Sequence, residues 1–144
     1  MVDADHIRVA LAAARASRWV GGAAALVVAA LLLSVFTGRP LPNPALLVLC
    51  LSIVTGGAVL YLMVRIELDR SIFEDAASAA DVSAYFAGFD QSRLQLGLGA
   101  APREARPVAE RVRGLLRLVQ AMGYLFIAEL FLAVGSAWIA RWLF

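Results

Sequence analysis

Three long apolar runs constrain this chain more than any other feature: WVGGAAALVVAALLLSVF at 19–36, PALLVLCLSIVTGGAVLYLMV at 44–64 and LVQAMGYLFIAELFLAVGSAWIARW at 118–142. A helix needs about twenty predominantly apolar residues to cross about 30 Å of hydrocarbon, and each run meets that length. Hydrocarbon offers no partner to an exposed backbone amide, so each run is expected to be helical. Composition agrees, since 62% of residues are hydrophobic, only 17% are charged and the mean hydropathy is +0.80, too apolar for an ordinary soluble domain. The expected fold is an all-α integral membrane protein with three transmembrane helices and a helical amphipathic cytoplasmic segment between helices two and three.

The first run follows Arg8, Arg15 and Arg18, as the core of a signal peptide would, but it exceeds the usual apolar core of about 7–15 residues and no A-x-A site follows it. It is read as a retained span. The linking stretch TGRPLPNP is turn-forming, and Asn43-Pro44 supplies a cap residue followed by proline at the first helical position. Spans one and two therefore form an antiparallel hairpin. The expected division is a helical N-terminal tail at 1–18, transmembrane helix 1 at 19–37, an outer loop at 38–43, transmembrane helix 2 at 44–66, the amphipathic segment at 67–106, and a helix at 107–143 containing the third span.

Arginine sets the direction. All 13 basic residues are arginines; three lie before the first span and eight between Arg65 and Arg117, against Arg39 alone in the hairpin loop and Arg141 alone at the far end. Basic residues concentrate on the cytoplasmic side, so the N-terminus and central segment are expected inside the cell, with a multi-pass inner-membrane location and a periplasmic or extracellular C-terminus. Trp19 and Tyr61 near one surface, with Trp138 and Trp142 near the other, suit interfacial anchoring.

The second span ends abruptly in VRIELDRSIFED. At 100° per residue, Leu68, Ile72, Ala79 and Phe86 form a stripe with Phe89 beside it, while Glu67, Arg70, Glu74 and Asp81 gather opposite. The segment reads as a helical extension whose charges keep one face wet. The stripe, with Leu68, Ile72, Phe86 and Phe89 as its interaction surface, awaits burial against the membrane surface, the third helix or another protein. Arg65 with Asp69 and Arg70 with Glu74 are spaced to pair at i,i+4. Gly88 and LQLGLGAAPREARP interrupt the pattern, and Pro107 opens the last helix. There Arg113 and Arg117 share a face suited to anionic-lipid headgroups, because guanidinium grips phosphate bidentately.

Glu129 is the single carboxylate deep within a span. Placing a charge there costs about 2.5–3.5 kcal/mol on insertion scales, so it must be protonated, partnered or turned toward protein. Counting from the span ends brings Ser52, Thr55, Gly56 and Gly57 of the second helix to similar depth, with Ser52 or Thr55 as hydrogen-bond partner. Ala133, Ser136 and Ala137 on the same side of helix three, and Gly21, Gly22, Gly56 and Gly57 on the other helices, are read as positions where helices approach closely.

Several classes are excluded or unsupported. A net charge of +2 without a basic stripe interleaved with aromatics gives nucleic acid no purchase. One cysteine, Cys50, allows no intrachain disulfide, and one histidine, His6, in a tail beside Asp3 and Asp5, allows no histidine cluster for a metal. No serine has a neighbouring base, no cofactor is implied and no metal site is assigned.

The favoured functional reading is a non-enzymatic accessory or scaffold subunit that packs, through small-residue seams and the amphipathic arm, with itself or a larger membrane complex. Its partners would be lipids and other membrane helices. One alternative is proton or ion translocation using Glu129. A second rests on Glu67 and Glu74, seven residues apart where the second span exits. In this and in its three-span topology the chain resembles the small bacterial diacylglycerol kinases, which are trimers. The resemblance implies a lipid-modifying enzyme at the cytoplasmic interface. The chain departs from that family in having Arg70 near the place of an asparagine, and no glutamate between Asp5 and Glu67.

Overall fold

A computed structural model of the protein describes residues 2–36, 43–97 and 107–142. The chain is all-helical: α1 runs Val2–Phe36, α2 Asn43–Ser78, α3 Val82–Gln95 and α4 Val108–Trp142. Three helices, α1, α2 and α4, are long and apolar enough to cross a membrane. Residues 37–42, where the outer loop with Arg39 is expected, and 98–106 lie outside the described residues.

Helices α1, α2 and α4 are 35, 36 and 35 residues long, which at 1.5 Å per residue makes each over about 50 Å, some 20 Å more than hydrocarbon requires. The surplus lies at the arginine-rich end. There the first half of α1, the last third of α2, all of α3 and the start of α4 pack as a compact head. Its core holds Ile7, Ala10 and Ala14 from α1, Ile66, Phe73 and Ala76 from α2, Phe86 from α3, and Val108, Val112 and Leu115 from α4. The expected N-terminal helical tail is thus the first half of α1, packed into the head through Ile7, Ala10 and Ala14. Beyond the head the helices touch along narrow faces, and no more than 22% of any span's most apolar window is buried.

The register between α1 and α2 is antiparallel and continuous. Arg15 reaches Glu74, Arg18 reaches Glu67, Gly21 abuts Met63 and Val28 abuts Gly56. Helix α4 lies against both, with Glu129 level with Gly56 and Val28.

The structure corrects the expectation of one unbroken amphipathic stripe. Helix α2 stops at Ser78, and Asp81, extended at φ −132° and ψ 108°, caps α3 by accepting hydrogen bonds from the Ser83 and Ala84 amides. The chain folds back there, so α3 returns alongside α2. Phe86 is therefore buried in the head, 5.6 Å from Phe73 in an edge-to-face contact at 68°, and is not offered to a partner. Ile72 and Phe89 are half-buried, while Leu68 stays 62% exposed. Gly88 lies inside α3 without interrupting it. The interruption falls at Gly97, whose φ of +70° suits glycine and whose amide donates to the Leu94 carbonyl to close the helix.

Candidate functional site

Among the described residues, the buried polar groups inside the apolar runs are Ser52, Glu129 and Ser136. Glu129 is fully buried, and neither of its carboxyl oxygens has a hydrogen-bond partner among the described residues. Gly56 makes the room: a Cβ there would lie 2.6 Å from Glu129 Oε1 and 2.3 Å from a Val28 methyl. Ser52, one turn back along the same α2 face, is also fully buried with its hydroxyl unpartnered. Thr55 does not serve Glu129, because its hydroxyl donates to the Leu51 carbonyl at 2.8 Å within its own helix. Ser136 is buried two turns along α4 and donates to the Ala133 carbonyl at 2.8 Å.

Leaving a buried neutral polar group unsatisfied costs about 1–3 kcal/mol, and more for a charge. Enclosed by α1, α2 and α4 with no hydrogen-bond partner among the described residues, the carboxyl contributes packing but no hydrogen bond between those helices. It is also shielded from any neighbouring chain, since its own helices cover both oxygens.

The paired glycines split by direction. At Gly21 a Cβ would come within 2.1 Å of Met63 Sδ, so Gly21, like Gly56, takes an internal close contact. Gly22 and Gly57 face away, with nothing within 4 Å, and Ala137 is exposed. These three do not pack within the chain, so of the small-residue positions read as close approaches Gly21 and Gly56 take the internal ones. Arg113 and Arg117 are both exposed on α4.

Glu67 and Glu74 are brought together by Arg70, whose guanidinium, 15% exposed, donates to Glu67 at 2.9 Å and to Glu74 at 2.8 Å. Arg18 and Arg15 of α1 add longer contacts of 3.8 Å to the same two carboxylates. The hydrogen bond from Arg70, helped by the nearby Arg15 charge, holds the Glu74 carboxyl below the usual range. Both glutamates are thus engaged in fixing α1 to α2. In the head, Arg111 pairs with Asp90 and lies 4.7 Å over the Phe86 ring.

Spacing along the sequence signalled the Arg70–Glu74 pair. The contacts of Arg15, Arg18 and Arg111 join separate helices, and no periodicity within one helix encodes them.

Comparisons with protein families, with curated proteins and with solved structures gave no match for this chain.

Proposed function

We propose that the protein is a small non-enzymatic integral membrane subunit that assembles, through the outer faces of its spans, with itself or with a larger membrane complex. The observation that carries this reading is the outward pair Gly22 and Gly57. Each is exposed and sits beside an internal glycine that takes up the intrachain contact, and a Cβ built on either would meet nothing within 4 Å. In hydrocarbon, helices associate where small residues let backbones approach, because lipid provides no hydrophobic drive for larger side chains to meet. The cytoplasmic head is the inner end of this subunit, with the N-terminus inside and the C-terminus outside, as the arginine distribution directs. Purification in a gentle detergent or nanodiscs followed by mass determination tests the reading. The protein should run as an oligomer or a stoichiometric complex, and Gly22→Leu with Gly57→Leu should release the 15.4 kDa chain. A wild-type protein that is monomeric and alone overturns it.

A second reading is favoured by Glu129 itself. A buried carboxyl with no hydrogen-bond partner among the described residues, facing Gly56 one helical turn along α2 from a buried Ser52 hydroxyl that also lacks one there, is the arrangement a proton-carrying group in a membrane would have. Proteoliposome flux that is lost in Glu129→Gln, with assembly intact, would establish this role; no flux in the wild-type protein would remove it.

A further inference from the structure

Where α2, α3 and α4 meet at the edge of the apolar spans they enclose a cleft of about 750 Å³. Its walls combine two chemistries. Phe73, Phe86 and Leu115 supply a buried apolar floor, while Arg65, Asp69, Arg93 and Glu110 bring charges from all three helices. Arg111 also lines the cleft, but its guanidinium is committed to Asp90 and Phe86. The other charges balance, with two guanidinium and two carboxyl groups. A site for an anion alone would carry an excess of cations. A balanced set suits a ligand bearing both signs.

Depth supports an amphiphile. Arg65 and Leu118 stand at the span ends of α2 and α4, and Phe73 and Glu110 lie eight residues further out along the same helices, about 12 Å at the helical rise. That is the length of a phospholipid headgroup with its glycerol. Asp69 is half-buried, and burial pushes its carboxyl above the usual range even though Arg65 and Arg93 pull it down. A carboxylate so placed gains from a further cation with hydrogens to donate. Gly114 on α4 lines the cleft, and a Cβ there would meet nothing, so the wall is open at that point.

We propose that this cleft binds the headgroup of an aminophospholipid, its phosphate held by Arg65 and Arg93 and its primary ammonium by Asp69 and Glu110, with the acyl chains leaving past Leu68 and Leu118. This rests on the membrane placement proposed above and is independent of assembly.

The test uses the full chain reconstituted into phosphatidylcholine vesicles doped with phosphatidylethanolamine or phosphatidylglycerol. Flotation with the vesicles is checked first, and lipid retained after mild extraction is then measured by mass spectrometry. Phosphatidylethanolamine should be retained over both other lipids by about fivefold, the ratio one or two well-placed hydrogen bonds supply. The trimethylated headgroup has no ammonium hydrogen to donate, so Asp69→Asn with Glu110→Gln should erase the preference over phosphatidylcholine. Gly114→Leu, which adds bulk inside a helix without removing a contact, should lower retention of phosphatidylethanolamine with the melting temperature kept. Equal retention of the three lipids, or a preference unchanged by the double variant, overturns the site while leaving the membrane placement standing. Water-soluble glycerophosphoethanolamine that displaces the lipid at equal concentration overturns the assignment to a lipid. Failure to float overturns the placement and the site with it.

Discussion

Gly56 of α2 faces Glu129 of α4 so closely that a single added carbon would sit 2.6 Å from the carboxyl oxygen. The contact fixes the rotation of two helices about their axes and leaves Gly57, the next residue, pointing outward. It also places a titratable group inside a bundle whose described residues offer it no hydrogen bond.

Gly56→Ala is expected to destabilise the fold by about 1–3 kcal/mol, the usual cost of overpacking, because the Val28 methyl blocks the new carbon at 2.3 Å. In the separated chain, where a Cβ at Gly57 meets nothing, Gly57→Ala should be neutral or slightly stabilising. Thermal melts of the two variants in the same detergent check the difference, and equal effects would contradict the helix rotation described here.

At Glu129, substitution by leucine removes two buried unsatisfied oxygens and should leave the isolated chain at least as stable as the wild type. A lock between helices predicts the reverse. Chemical denaturation of Glu129→Leu and Glu129→Gln, read by tryptophan fluorescence, separates the two.

Acid should weaken the junction of α1 and α2. The Glu74 carboxyl is held below its ordinary value of 4.5 by Arg70, so its contribution is fully present above that value and is lost as pH falls through the lower folded one. Asp69 acts in the opposite sense: burial raises it above 3.8, so its unfavourable contribution is present at neutral pH and disappears below that ordinary value. Glu74→Gln should therefore lower stability at pH 7 and shrink the loss between pH 7 and pH 4, whereas Asp69→Asn should raise Tm at pH 7. Melts at the two pH values measure both.

Phe86→Ala should cost about 3–5 kcal/mol, the range for truncating a buried aromatic, since the ring is 3% exposed and is held by Phe73 and Arg111. Hydrogen exchange should show α3 losing protection while the apolar parts of α2 and α4 keep theirs. Uniform loss would mean that the head and spans unfold as one unit.

The spans were legible because length and hydropathy alone decide them, and counting from span ends set Glu129 at the depth of Gly56. Which glycine of each pair turns inward was not legible, since one residue along a helix is a 100° rotation that only the neighbouring helices determine. The fold-back after α2 hid behind helix-favouring alanines at 76, 77, 79 and 80, although Asp81 preceding a short helical run was a readable cap. A single stripe run across that break puts Phe86 in line with Leu68, whereas the fold-back sets it against Phe73. The cleft lies beyond single-helix reasoning altogether, because its charges come from three elements.

The most direct test of the account is the side of the membrane on which each end of the bundle lies. In a Cys50→Ala background, Ser92→Cys on the exposed face of α3 and Asn43→Cys at the start of α2 are exposed to a membrane-impermeant maleimide in intact cells. Asn43→Cys should label from outside and Ser92→Cys only after the cells are opened. Labelling of Ser92→Cys in intact cells would contradict the placement of the head and everything built on it.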